Sequence, residues 1–213
     1  VKVNLGLNLS FVNRNEEALK VLSEAYEKQQ EKLGLEHDST IHTQQVLARV
    51  LVKTGHVDEA IALAELSMQN ANKYLDKNHP EVVGSFYTLA MIYKNNNQYQ
   101  KALELVLRIK NENLLATSEP NYPILLRLIA QLYVATDKLD LANTYYQDSI
   151  TRMIQLYSVK HVRTLIIQLE YAGFLLKHKQ ENKANALLTQ IKKIVSTEKI
   201  DNPKIKELLA DLQ

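Results

Sequence analysis

The sequence predicts an all-α fold of repeated antiparallel helix pairs, and three observations predict it. Only 5 glycines and 4 prolines occur in 213 residues, below the usual shares of about 7% and 5%, which leaves little turn chemistry for β-hairpins. Apolar residues recur at i, i+3, i+4 and i+7, as in Phe86, Leu89, Ala90 and Tyr93 or, with one polar exception, Leu47, Val50, Leu51 and Thr54; this is the period of an amphipathic helix. The chain also repeats itself. Ala18, Ala60, Ala102, Ala142 and Ala184 fall 42, 42, 40 and 42 residues apart, and intervals of 20 to 50 residues indicate stacked supersecondary units.

A second set of small residues keeps the same frame. Gly6, Ala48, Ala90, Ala130 and Ala172 each stand twelve residues before those alanines. One small side chain per helix lets two axes approach at the tight end of the usual separation, so the two columns mark where helix A and helix B of each unit cross. Seven residues after the first small residue, helix A must stop and reverse, and that column reads Asn13, Gly55, Asn97, Asp137 and Lys179. Glycine, asparagine and aspartate tolerate positive φ, so the column is expected to terminate helices in a left-handed cap. Lys179 departs from the pattern and predicts a different or strained turn in the last unit.

Connectors between units contain His37-Asp38, His79-Pro80, Glu119-Pro120, His161 and Asn202-Pro203. Proline suits the first turn of a helix, so helix A begins near 39, 80, 120, 161 and 203. The units are then 1–34, truncated at its front, followed by 37–76, 79–116, 119–158 and 161–198. A terminal helix from 203 to 213 is either a cap or the start of a further repeat, and Ile205, Leu208, Leu209 and Leu212 would cover the open end, which a stack of repeats requires. The chain opens on Val-Lys-Val without methionine or a basic and apolar leader, so it reads as an internal fragment.

These residues resemble the tetratricopeptide repeat in its 42-residue variety, typified by kinesin light chains. The resemblance rests on Leu89-Ala90-Met91-Ile92-Tyr93, on the turn and Tyr-x-x-Ala of Tyr99 to Ala102, and on the Leu-Gly-x-x-His-Pro connector split between Leu33-Gly34-Leu35-Glu36-His37 and Asn78-His79-Pro80. It covers essentially the whole chain. It implies one right-handed superhelical solenoid over 1–213 whose inner wall is formed mostly by helices A. The family's inner-face columns fall on His42, Gln45, Val46, Arg49 and Lys53; on Gly84, Tyr87, Thr88, Met91, Lys94 and Asn95; on Ile124, Arg127, Leu128 and Gln131; and on Ile166, Leu169, Glu170, Gly173 and Lys177.

Within each helix those positions share one face. Arg49, Lys53, Lys94, Arg127 and Lys177 oppose the single acid Glu170, and Tyr87, Met91, Ile124 and Leu128 supply an apolar floor. The expected ligand is therefore an acidic, partly apolar peptide or helix. Kinesin light chains carry Asn-Asn before the Leu-Ala, a ladder able to clamp an extended backbone. Here the columns read Val3 and Asn4, Gln45 and Val46, Tyr87 and Thr88, Arg127 and Leu128, Leu169 and Glu170, which suits a helix or apolar segment better.

Composition narrows the function further. With 26 Lys+Arg against 24 Asp+Glu the net charge is +2, so no polycationic surface points to nucleic acid. Cysteine is absent, which removes disulfides, thiolate catalysis and cysteine-ligated metals. The longest apolar stretch, Leu125 to Ala135, is interrupted by Arg127 and Gln131, far short of the roughly 18 residues a membrane span needs. His37, His79 and His161 recur at the unit period and so occupy equivalent connector positions instead of converging on a metal. The five glycines never cluster into a phosphate cradle. The sequence therefore predicts a non-catalytic protein-interaction scaffold without cofactor or metal, and a cytoplasmic location is expected. The alternative is a regulatory or sensory domain of a larger signalling enzyme or transcription regulator, beside which similar arrays occur. A homo-oligomer is neither required nor opposed by any residue pattern.

Overall fold

Eleven helices and no strand make up the described residues, 2–212, of the computed structural model. They are α1 (Lys2–Phe11), α2 (Asn15–Leu33), α3 (Asp38–Lys53), α4 (Val57–Tyr74), α5 (Pro80–Asn95), α6 (Tyr99–Asn111), α7 (Tyr122–Ala135), α8 (Leu139–Leu156), α9 (Val162–Lys177), α10 (Glu181–Thr197) and α11 (Pro203–Asp211). Odd-numbered α1 to α9 are the helices A of the repeat frame and the even ones their helices B. The chain gathers into two compact units, 1–116 and 117–213, and this boundary coincides with a repeat boundary.

The small-residue columns are where the frame predicts. Ala18, Ala60, Ala102, Ala142 and Ala184 are all fully buried, as are Ala48, Ala90, Ala130 and Ala172. A Cβ added to Gly6 would lie 2.4 Å from Leu22 Cγ, so α1 and α2 touch too closely there for any side chain. Within the first unit α1 packs on α2, α2 on α3, α3 on both α4 and α5, and α5 on α6. In the second, α7 packs on α8, α8 on α9, and α9 on α10 and α11. Leu165, Leu169, Ala172, Leu188, Ile191 and Ile205 form one buried cluster, against which Leu208, Leu209 and Leu212 pack. Thus α11 covers the apolar end of the last pair.

Every helix A ends in the same hydrogen-bonded hook. Asn13, Gly55, Asn97, Asp137 and Lys179 have φ of 61°, 86°, 57°, 57° and 58°. In each, the following N–H reaches five residues back, from His56 to Leu51 O at 2.8 Å and from Gln180 to Leu175 O at 2.9 Å, which is the Schellman closure. Lys179 therefore does not make a different turn. The paired closing bonds fix the left-handed backbone whichever side chain stands there, and lysine takes it at a steric cost. Two further hooks close helices B at Asn113 (φ 51°) and Lys199 (φ 50°).

The recurrent connector histidines start helices. His37, His79 and His161 sit at the N-caps of α3, α5 and α9 with extended backbone, and each ring Nδ1 accepts from the N–H two residues on, Ser39, Glu81 or Arg163, at 3.2 Å. An imidazole nitrogen here does what a serine or aspartate oxygen usually does at an N-cap. Asn202 caps α11 through its Oδ1, which accepts from the N–H groups of Lys204 and Ile205.

Candidate functional site

Two residues of the expected inner-face columns of α3, His42 and Gln45, meet at a carboxylate that those columns do not contain. Glu81 lies in the first turn of α5, where the helix dipole favours negative charge. Gln45 on α3 donates through Nε2 to Glu81 Oε2 at 2.8 Å and to its backbone oxygen at 3.1 Å. His42, one turn earlier, places Nδ1 3.1 Å from Glu81 Oε1. That hydrogen bond raises the His42 pKa above the ordinary 6.5, against the opposing effect of desolvation. Gly84 makes room, since a Cβ there would meet Gln45 Oε1 at 2.6 Å.

The other residues on this face divide into tied and open groups. Lys53 donates to Ser10 Oγ at 2.8 Å and to its carbonyl at 3.1 Å, pinning α3 to α1. Val46 and Thr88 are buried. Tyr87, Met91 and Lys94 are half-buried, and Asn95 is exposed. Arg49 keeps more than a third of its surface open and makes no hydrogen bond or ion pair among the described residues; its partial burial lowers the guanidinium pKa, against the opposing charge of Glu81.

In the second unit Arg127 of α7 grips Glu170 of α9 with two bonds, Nε to Oε2 at 2.7 Å and Nη2 to Oε1 at 2.6 Å. Gln131, one turn along α7, donates to Glu170 Oε2 at 2.9 Å. The fork of a guanidinium matches a carboxylate in this way, and such pairs are the stronger hydrogen bonds. Leu128 and Leu169 are buried, Leu169 inside the terminal cluster, so the exposed apolar surface in their columns comes from Ile124 and Ile166, both half-buried. A Cβ on Gly173 would lie 3.2 Å from Leu212 Cδ2, so the end of the chain covers that position. Lys177 is exposed.

Of the residues in these two clusters, the repeat columns contain His42, Gln45, Arg127, Gln131 and Glu170, as expected ligand contacts and not as partners of one another, and they lack Glu81. The only signal for it is a carboxylate directly after His79-Pro80 in a first helical turn. Both glutamates are already satisfied by donors of the neighbouring helix A, which leaves Arg49 and Lys177 as the open cations of these faces. No group of three or more potential ligands for a metal ion occurs among the described residues, and no helix there is long and apolar enough to cross a membrane.

Comparison with known proteins agrees with the geometry. Tetratricopeptide repeat family models match residues 1–68 and 83–108. No curated protein matches the chain. Among solved structures, the nearly identical TPR-like repeats of a Podosopora anserina putative kinesin light chain superpose with a TM-score of 0.80 at 25% identity, covering 94% of this chain and 96% of theirs. BtubC (BKLC) of P. vanneervenii has a TM-score of 0.77 at 16% identity, over 93% of this chain and 81% of its own. A thermophilic TPR protein of Thermus thermophilus has a TM-score of 0.69 at 16% identity, over 99% of this chain and 96% of its own.

Proposed function

From the premise that the chain is a tetratricopeptide repeat array of the kinesin-light-chain kind, we propose that it binds an acidic, partly apolar peptide or helix on the exposed faces of its helices A. Arrays of this fold are generally protein-interaction scaffolds and typically non-catalytic. The observation that carries the finer reading is Arg49. It shares a helix face with His42 and Gln45, is exposed, and has no ion pair among the described residues, whereas Arg127 is already neutralised by Glu170. An unpaired guanidinium is a ready partner for a carboxylate. In the equivalent columns of α5, Tyr87 and Met91 offer half-buried apolar surface.

Selection of a random peptide library on the full chain tests this. Sequences rich in aspartate and glutamate beside aromatic or aliphatic residues should be enriched, and Arg49→Glu should weaken the selected peptides by about tenfold or more. A selected set without charge bias, or equal affinity for Arg49→Glu, would refute the acidic-ligand reading.

A further inference from the structure

Helix α1 differs from the other helices A along the face on which α3 carries Arg49. The three columns that hold Gln45, Arg49 and Lys53 in α3 hold Val3, Leu7 and Phe11 in α1. At i, i+4 and i+8 they form one stripe. Each other helix A interrupts that stripe with a polar side chain, Arg49, Asn95, Gln131 or Lys177, and α1 alone is apolar at all three positions. Val3 and Leu7 are half-buried, and Phe11 is 79% exposed. A ring left this open contributes little to folding, because apolar side chains stabilise in proportion to the area they remove from water.

The apolar stripe of α1 stands beside the basic stripe of α3. The two helices are in contact, and the bonds from Lys53 Nζ to the Ser10 carbonyl and Oγ hold the end of α3 against the end of α1, next to Phe11. Charge across the pair is one-sided. Arg49 and Lys53 have no ion pair among the described residues, and the cation of α1, Lys2, is paired with Glu24 at 2.8 Å. The surface therefore complements a ligand that carries apolar residues along one line and carboxylates along the next.

We infer that this ligand is an amphipathic helix whose apolar stripe lies on Val3, Leu7 and Phe11 and whose acidic stripe, on one flank, meets Arg49. The inference rests on the acidic-ligand reading and adds to it the ligand's secondary structure and the placement of its two kinds of residue. A helix bonds its own backbone N–H and C=O groups, whereas an extended segment laid on an apolar stripe would leave its amides without partners. The side chains of the stripe recur about every 6 Å along α1, the interval at which i, i+4 residues recur on a second helix.

The probes are two alanine–glutamine peptides of about four helical turns, with leucines at i, i+4, i+7 and i+11. In the first, three glutamates directly follow leucines, about 100° around the helix from the apolar stripe. In the second, of the same composition, they stand two residues after the leucines, about 200° around. Calorimetric titration into the full chain should find the first bound about tenfold more tightly. Phe11→Asn, which copies Asn95 at an exposed position and so leaves the fold intact, should weaken the first peptide about tenfold. A version of the first peptide with a central proline, which breaks the helix, should not bind. Arg49→Glu keeps the two readings apart. If it weakens the first peptide while Phe11→Asn does not, or while either altered peptide binds as well as the first, the acidic-ligand reading stands and this inference falls. If Arg49→Glu has no effect, both fall. Sedimentation of the chain alone should find no self-association; association that grows with concentration and is abolished by Phe11→Asn would give the α1 stripe to a second copy and would also overturn the inference.

Discussion

Glu81 in the first unit and Glu170 in the second receive the same kind of partners by different means. Each is held by a glutamine and a basic residue one helical turn apart on a single helix A, Gln45 with His42 and Gln131 with Arg127. The surroundings differ. Helix α3 packs directly on α5, whereas α7 and α9 share little backbone contact and meet through the Arg127–Glu170 bridge. The side chains of Arg127 and Glu170 are 31% and 16% exposed, against 43% and 20% for His42 and Glu81. A fixed cation in a drier setting therefore joins two helices that have little else between them. A titratable one decorates a contact that apolar packing already makes.

The helix crossings beneath both clusters should respond alike, and they carry the largest expected effect. Ala90→Leu and Ala130→Leu each force a branched side chain into a fully buried crossing, at about 3 kcal/mol in urea denaturation. A large loss in one unit and none in the other would break the equivalence on which the comparison rests. Next come the carboxylates. Glu170→Gln strands a half-buried guanidinium and should cost about 1–2 kcal/mol, while Glu81→Gln, with a neutral imidazole available and α3–α5 packing intact, should cost about 0.5 kcal/mol. Equal losses would remove the distinction between bridge and decoration.

The repeat frame was legible because small residues and turn residues obey local rules. A crossing excludes bulk, so both alanine columns and Gly6 could be placed by counting. A reversal needs positive φ, so Asn13, Gly55, Asn97 and Asp137 announced themselves. Lys179 did not, because its geometry is imposed by the two closing hydrogen bonds and not by the residue. Glu81 was invisible for a different reason. Its contact with Gln45 depends on the rotation and offset between α3 and α5, which no single-helix periodicity encodes. The same kind of offset decides that Leu128 and Leu169 turn into the core while Ile124 and Ile166 remain partly open. Sequence columns give a face to a few tens of degrees, and a leucine at the edge of that face falls on either side.

Lys179 offers a smaller test of the same lesson. If the hook imposes φ 58° on a lysine, Lys179→Gly relieves about 1–2 kcal/mol of steric cost and loses about 0.5–1 kcal/mol through the freer unfolded chain. The net gain should be about 0.5 kcal/mol by urea denaturation. Asn97→Gly, in the first unit, begins from a residue that accepts this geometry and should gain less. Destabilisation by Lys179→Gly would mean that the lysine makes a compensating contact.

The smallest effect separates the two glutamates by pH. The His42 pKa is raised, chiefly by its hydrogen bond to Glu81, so the folded chain holds this proton more tightly than the unfolded one. Its contribution to stability is fully present below the unfolded value of about 6.5 and is lost as pH rises through the raised folded value. NMR titration should find His42 above 6.5 in the parent chain and closer to 6.5 in Glu81→Gln. The stability difference between those two chains should shrink between about pH 6 and 8 by only a few tenths of a kcal/mol, because His42 is partly hydrated. A guanidinium has no charge change near neutral pH, so the difference between the parent chain and Glu170→Gln should not change with pH. A pH-independent Glu81→Gln difference, with His42 titrating alike in both chains, would reduce the first cluster to a neutral hydrogen-bond pair and leave the second as the only ion pair of the two.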